Sequence, residues 1–244
     1  MAMGFFNDQE KEYVITDMYS KRNLLNYLWN DTTVCACDQF GFVTSWSVIN
    51  GVRRSIENGV RNLTIHNGER IIYIKDLDEG EYFSPNRNYK KQKFDVFECH
   101  VGIGYQKVVS EYKGIRVEFT TLVPSIGNEI LFSVKVANIS QRKKNLKLYF
   151  YMSPSVESGG HEAYTSAEFN REINGIFYDV EGYKLPNEYV KSYVVTDKPV
   201  QSFAVTPADF KGLYNSFEDP EGLSQKELCS KGSVFEESYA GAFF

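Results

Sequence analysis

Tyr105-Gln-Lys-Val-Val-Ser-Glu-Tyr-Lys-Gly-Ile-Arg-Val-Glu-Phe-Thr-Thr-Leu122 decides the fold. After the turn signal Lys113-Gly114, Ile115, Val117 and Phe119 alternate with Arg116, Glu118 and Thr120, the period of a strand with one face in a core and one in water. Tyr105 to Tyr112 reads as the strand before that turn. Downstream, Ile130, Phe132, Val134 and Val136 alternate with Leu131, Ser133 and Lys135, and Leu146, Leu148, Phe150 and Met152 repeat the pattern after a polar turn from Asn138 to Asn145. Residues 129–153 are therefore predicted as a hairpin or meander of two long antiparallel strands. Upstream, Phe40, Phe42, Thr44, Trp46 and Val48 share a face, and the apolar run Ile71 to Ile74 leads into the turn Asp76-Leu-Asp-Glu-Gly80.

Helical signal is sparse. Ser20 to Leu28 places Leu24, Leu25 and Leu28 on one side, and Thr206-Pro207-Ala208-Asp209 combines a capping hydroxyl, a proline at the first helical position and an acid in the first turn, predicting a short helix to about Tyr214. Ser155 to Gly160 and Pro220 to Gly232 are loop-like, and Phe235 to Phe244 reads as a strand cut in mid-course, as in a module of a longer protein. Without repeats or linkers, the expectation is an all-β, largely antiparallel fold with one or two short helices, a single domain over 1–244; that it is a large antiparallel β-sandwich is implied only by the family resemblance given below.

Composition narrows the function classes. Lys and Arg total 27 against 32 Asp and Glu, a net charge of −5, and no basic run exceeds Arg142-Lys143-Lys144, so nucleic acid and anionic membranes are not expected partners. Tyr, Phe and Trp number 17, 18 and 2, which excludes a disordered chain. Cys35, Cys37, Cys99 and Cys229 follow no secretory leader, and no apolar run reaches the ~18–20 residues of a spanning helix, so a reduced cytoplasmic protein is expected. The sequons at Asn30, Asn62 and Asn138 then carry no glycan.

Local motifs offer little chemistry. His66, His100 and His161 are too far apart for a local metal site, and Cys35-Ala-Cys37 lacks the spacing of structural zinc ligands; as alternate strand residues its thiols belong in a core. Gly102-Ile-Gly104 lacks the third glycine and the following helix of a dinucleotide site. Asp76, Asp78, Glu79 and Glu81 have a glycine at the wrong loop position for calcium and read as a solvated turn. No metal, cofactor or catalytic residue is expected. Aromatic rings near turn signals suit the apolar face of a pyranose, which singles out Trp29, Trp46 and Tyr105.

Several segments together resemble a known family. Gly4-Phe-Phe-Asn-Asp8, Glu12-Tyr-Val-Ile15, Asn26-Tyr-Leu28, Arg53-Arg54, Tyr73-Ile-Lys-Asp76, Ser84-Pro85, Phe97-Glu-Cys99, Gly102-Ile-Gly-Tyr105, Gly114-Ile115 and Val123-Pro124 are similar to elements of the family ninety-four glycoside hydrolases, the cellobiose phosphorylase-like enzymes once classed as glycosyltransferases. The likeness weakens from about residue 155 and returns at Val200 to Tyr214. It implies the N-terminal, galactose mutarotase-like supersandwich of such an enzyme, which in the family precedes an (α/α)6 barrel. There an aspartate protonates the glycosidic oxygen while inorganic phosphate, the co-substrate, attacks the anomeric carbon of a β-linked sugar with inversion. The resemblance implies a homodimer, a β-linked oligosaccharide as substrate, and a catalytic barrel absent from these residues, so that the chain alone is not expected to be catalytic. A free-standing carbohydrate-binding or scaffolding sandwich is the alternative. Arg53, Arg54, His100 and Tyr105 join Trp29 and Trp46 as binding or interface candidates. The sequence departs from the family at His100-Val101, where the family has Arg-His, and at Glu57-Asn-Gly-Val-Arg61, where it has R-Y-R-Y-N.

Overall fold

A computed structural model describes the chain except residues 1–2, 21–23, 42, 50, 59–69, 153–162, 183–188, 230, 237–240 and 244; some further strand residues, Arg54 among them, are described by their backbone alone. Phe42, His66, His161, Asn62 and Ser155 to Gly160 thus lie outside the described residues. The architecture is antiparallel β with very little helix, and the chain divides into two compact units, 1–52 with 71–146 and 53–70 with 147–244.

In the first unit, β1 (Gly4–Asn7) and β2 (Glu12–Ile15) form a hairpin, and β3 (Asn26–Trp29), β4 (Thr33–Cys37) and β5 (Thr44–Ile49) form a meander. β6 (Val52–Asn58) falls from Arg53 onward in the second unit; in the first, β7 (Arg70–Asp76) turns into β8 (Tyr82–Phe83) through Asp76–Gly80, where the Gly80 N–H donates to the Asp76 carbonyl. The strands β9 (Val96–Val101), β10 (Tyr105–Tyr112), β11 (Ile115–Leu122) and β12 (Leu131–Asn138) follow in a second meander. Its outer strand β9 accepts β2, giving a six-stranded sheet in the order β1-β2-β9-β10-β11-β12.

The alternation around 105–122 behaves as predicted. Ile115, Val117 and Phe119 are buried while their neighbours are half-buried. Lys113 and Gly114 both take positive φ, as a two-residue hairpin turn between right-twisted strands requires. Against the apolar face lie Leu28, Cys35 and Cys37 of the smaller meander, clustered with Val123 and Ile130. Cys35 and Cys37 are fully buried with Sγ atoms 3.7 Å apart, and the four cysteines are free thiols.

In the second unit, β13 (Leu146–Met152) pairs with a late strand, and β14 (Ala163–Asn170), β15 (Gly175–Gly182) and β16 (Tyr189–Val195) form a meander. β17 (Phe203–Ala204) leads to α1 (Pro207–Lys211), after which come β18 (Ser233–Glu236) and β19 (Gly241–Phe243). Thr206 caps α1 by accepting the Asp209 N–H at 3.1 Å, and Gly212 ends it, so the predicted helix is present but stops before Tyr214. Ala167, Ile176, Tyr178 and Val205 form a core here, with Phe169 stacked on Phe203.

Three expectations fail. β12 and β13 do not make a hairpin: β12 pairs with β11 and β13 with β19. Within β13 the buried side chains are Tyr149, Tyr151 and Met152, not the leucines, because Phe210 and Phe217 pack on Tyr151. The helix at Ser20 to Leu28 is absent from its described part; Asn26 to Trp29 is strand, with Leu28 turned into the core. On β5, Thr44 and Trp46 share a face as expected, and the buried face is the opposite one, Ser45 and Ser47. The Ser47 hydroxyl meets that of Thr33 at 2.8 Å, which removes the cost of burying either.

Candidate functional site

Alternation along β2 sends Tyr13 and Ile15 to the core cluster of Cys99 and Val108, and leaves Glu12 and Val14 on the opposite face of the sheet. Val14 lies opposite His100, and Lys107 opposite His100 on the next strand. Glu12, Glu98, His100, Tyr105 and Lys107 therefore share one face. Glu12 is buried, 4 % exposed. Its carboxylate accepts the Tyr105 hydroxyl on Oε1, faces His100 Nδ1 at 2.6 Å through Oε2, and has Lys107 Nζ 3.6 Å from Oε1. The other ring nitrogen of His100 lies 3.0 Å from Glu98 Oε2. A neutral imidazole can donate to only one of these carboxylates, whereas imidazolium donates to both.

Gly102 makes the Tyr105 contact possible. Its Cα lies against the Tyr105 ring, and a Cβ there would sit 2.4 Å from ring carbons. Gly104, at φ 82°, turns the chain so that Tyr105 folds back over Gly102. The pair of glycines that suggests a phosphate loop is thus the tip of the β9–β10 hairpin.

Burial alone would raise the Glu12 pKa, but hydrogen bonds from Tyr105 and His100 and the nearby charges of His100 and Lys107 outweigh it and hold the carboxyl below its ordinary value. Burial, followed by the bond to Glu12 and the Glu12 charge, pushes the Tyr105 hydroxyl up to about 12, so it remains a donor. With both oxygens of Glu12 engaged by protein groups, this network ties β2, β9 and β10 together.

Trp29 and Trp46 come together elsewhere. Trp29 pairs with Val34, and Val34 with Trp46; one row further along, Tyr27 pairs with Ala36, and Ala36 with Thr44. The outer face of β3–β5 therefore carries two aromatic residues of β3 and one of β5. Trp29 is 68 % exposed and Tyr27 53 %, while Trp46 is half-buried. Asn30 fixes this hairpin: its Nδ2 donates to the carbonyls of Pro124 and Gly127 at 2.8 and 2.9 Å, and its Oδ1 accepts the N–H groups of Thr32 and Thr33. The sequon at Asn30 is thus a turn anchor, as is the one at Asn138, which binds Ser140 and the Arg142 carbonyl.

Arg53 is exposed on β6, and the Arg54 side chain is outside the described residues. Three acids of the β7–β8 turn have protein partners: Lys144 Nζ is 2.7 Å from Asp76, Asp78 accepts from Asn145, and Lys113 pairs with Glu81. Among the described residues no group of three potential ligands could hold a metal ion. The sequence reading missed Glu12, Glu98, Lys107 and Tyr27. An acid beginning the otherwise apolar Glu12-Tyr-Val-Ile15 strand is the one local sign of the network.

The family described as "Glycosyl hydrolase 94, supersandwich domain" matches residues 11–237. The chain is 23 % identical over 245 residues to solabiose phosphorylase of Paenibacillus borealis, covering 98 % of this chain and 32 % of that protein. It is 26 % identical over 253 residues to 3-O-beta-D-glucopyranosyl-beta-D-glucuronide phosphorylase of the same organism, covering 99 % and 31 %. Cellobionic acid phosphorylase of Neurospora crassa is 29 % identical over 174 residues, 68 % of this chain and 22 % of that enzyme. The chain spans about a third of the length of the first two relatives.

Proposed function

Since the chain belongs to the glycosyl hydrolase 94 family through its supersandwich domain, we propose that it is the N-terminal module of an inverting carbohydrate phosphorylase acting on a β-linked di- or oligosaccharide. The observation that carries this reading is the coverage: relatives named as phosphorylases align with nearly all of this chain, yet the chain accounts for about a third of their length. In this reading the chemistry resides in an (α/α)6 barrel. There an acid protonates the glycosidic oxygen as inorganic phosphate forms the new bond to the anomeric carbon and the old C–O bond breaks. Phosphate is already a nucleophile, so one acid suffices. The sandwich contributes carbohydrate binding, closure of the active-site mouth and assembly of a homodimer. Four free cysteines support a cytoplasmic location, and no helix among the described residues is long and apolar enough to cross a membrane.

The self-satisfied Glu12 network agrees with a module that leaves catalysis to its partner. The exposed aromatic face of β3–β5 favours a second reading, a carbohydrate-binding sandwich without chemistry of its own. The two are separated by assaying phosphate-dependent release of a sugar 1-phosphate from β-linked disaccharides. The 244-residue chain should release none, and the same chain supplied with a barrel encoded downstream or in a neighbouring frame should release it with inverted anomeric configuration. Release by the 244-residue chain alone, or a gene neighbourhood without any barrel, overturns the phosphorylase-module reading.

A further inference from the structure

The hairpin β1–β2 joins the six-stranded sheet by a short seam. It meets β9 through three residue pairs, Tyr13 with Val101, Val14 with His100 and Ile15 with Cys99, whereas β9 to β12 are joined by six or eight pairs at each seam. Tyr13 and Ile15 add packing on the core side, but the outer strand leaves Phe5 and Phe6 52 % and 77 % exposed. On the opposite face the hairpin is held through Glu12. His100 stands between that carboxylate, on the hairpin, and Glu98, on its own strand, with Nδ1 2.6 Å from Glu12 Oε2 and Nε2 3.0 Å from Glu98 Oε2. The other charged or titratable groups on this face are Lys107 and Tyr105 of β10, Glu118 of β11 near Lys107, and Glu10 of the β1–β2 turn near Tyr105.

We propose that His100 is a proton-operated latch on this hairpin: the imidazolium closes β1–β2 onto β9, and loss of its proton lets the hairpin open locally while β9 to β12 stay folded. The step is the loss of one ring N–H proton to water or buffer base. Imidazolium donates to both carboxylates, whereas the neutral ring has one N–H and turns a nitrogen lone pair toward the other carboxylate. The two carboxylates differ in their freedom to respond. Glu98, 34 % exposed, can turn to water, while Glu12, 2 % exposed, can leave only if the hairpin moves. A hairpin once held by a cation between two anions is then held by a neutral donor, a weaker bond. Histidine is also the residue type that changes charge between about pH 5 and 8; burial pushes the Tyr105 hydroxyl up to about 12, and the Glu12 carboxyl is held below its ordinary value. The contribution of the imidazolium is present below its titration and lost as the pH rises through it, and that of the Glu12 carboxylate is lost as the pH falls, so closure is strongest between the two. The latch goes beyond the phosphorylase reading and does not depend on it.

Hydrogen exchange of the 244-residue chain tests this from about pH 5 to 9, with rates corrected for the intrinsic pH dependence of exchange and the His100 ring signals followed by NMR in the same samples. Protection of the β1 and β2 amides should fall about tenfold, the worth of one charge-assisted hydrogen bond, at the pH where the ring signals move. Protection in β10 and β11 should stay constant. H100Q, whose amide keeps a donor without the charge, should hold the hairpin at the lower protection with no step on the alkaline side. A ring titration that leaves the hairpin unchanged overturns the latch, as does a ring that keeps one protonation state throughout. A step that persists in H100Q overturns it too. A parallel fall in β10 and β11 does the same, and makes the ring a contributor to the stability of the whole sheet.

Discussion

Two surfaces of the first unit reverse the usual rule of apolar inside and polar outside. On the polar face of the six-stranded sheet, a carboxylate is buried among a histidine, a tyrosine and a lysine. On the outer face of β3–β5, two large aromatic rings stand in solvent. Burying a charge is unfavourable unless its partners come with it, and the Glu12 network supplies them. Exposed rings make no such demand and contribute little to stability. The first arrangement is consumed by folding, whereas the second is left over from it and available to a ligand. Substitutions on the two faces should therefore separate stability from binding.

The largest effect is expected at Glu12. E12A removes the acceptor shared by Tyr105 and His100 and leaves Lys107 without its closest buried counter-charge, so unfolding should become easier by about 3 kcal/mol, read as a lower urea midpoint at unchanged m-value. The network also fixes the sign of a pH effect. Because the folded carboxyl is held below its ordinary value of 4.5, its contribution is fully present above that pH and is lost as the pH falls through the folded value. The gap in melting temperature between the native chain and E12Q should close as the pH is lowered below 4.5. A gap that stays constant through that range would show that the charge of Glu12 does not hold the strands.

Next in size is G102A, which drives a methyl group into the Tyr105 ring and should cost about 2 kcal/mol. Y105F removes one charge-assisted hydrogen bond, about 1.5 kcal/mol. The two changes act on one contact, so the double variant should be less destabilised than the sum of the single changes; strict additivity would break the link between hairpin tip and network.

These residues also mark the limit of what the sequence reveals. The strands at 105–122 were legible because one face is apolar and the other charged, with a two-residue turn between them. β13 was misread because tyrosine, apolar in body and polar at its tip, fits either side of an alternation, and contacts from Phe210 and Phe217 decided which side was buried. On β5, small hydroxyl side chains could turn inward because Thr33 met one of them, a pairing that local pattern does not encode. The same holds for the candidate site. His100 and Tyr105 could be singled out, but Glu12 lies 88 and 93 positions away from them, and only the β2–β9 pairing brings them together.

The smallest effect on stability, and the sharpest contrast, belongs to Trp29. A side chain 68 % exposed loses little burial on truncation, so W29A should change unfolding by no more than about 0.5 kcal/mol, below E12A by several-fold. Leu28, its neighbour on the same strand, is 2 % exposed in the core with Cys35 and Cys37, and L28A should cost about 3 kcal/mol through the cavity it leaves. Adjacent positions on a single strand thus predict opposite outcomes in one denaturation experiment. If W29A proves as disruptive as L28A, the ring is part of the packing and the aromatic face is not a free surface. If it is silent, the large aromatic ring standing in water is not explained by folding, and the aromatic face is a surface that packing leaves free.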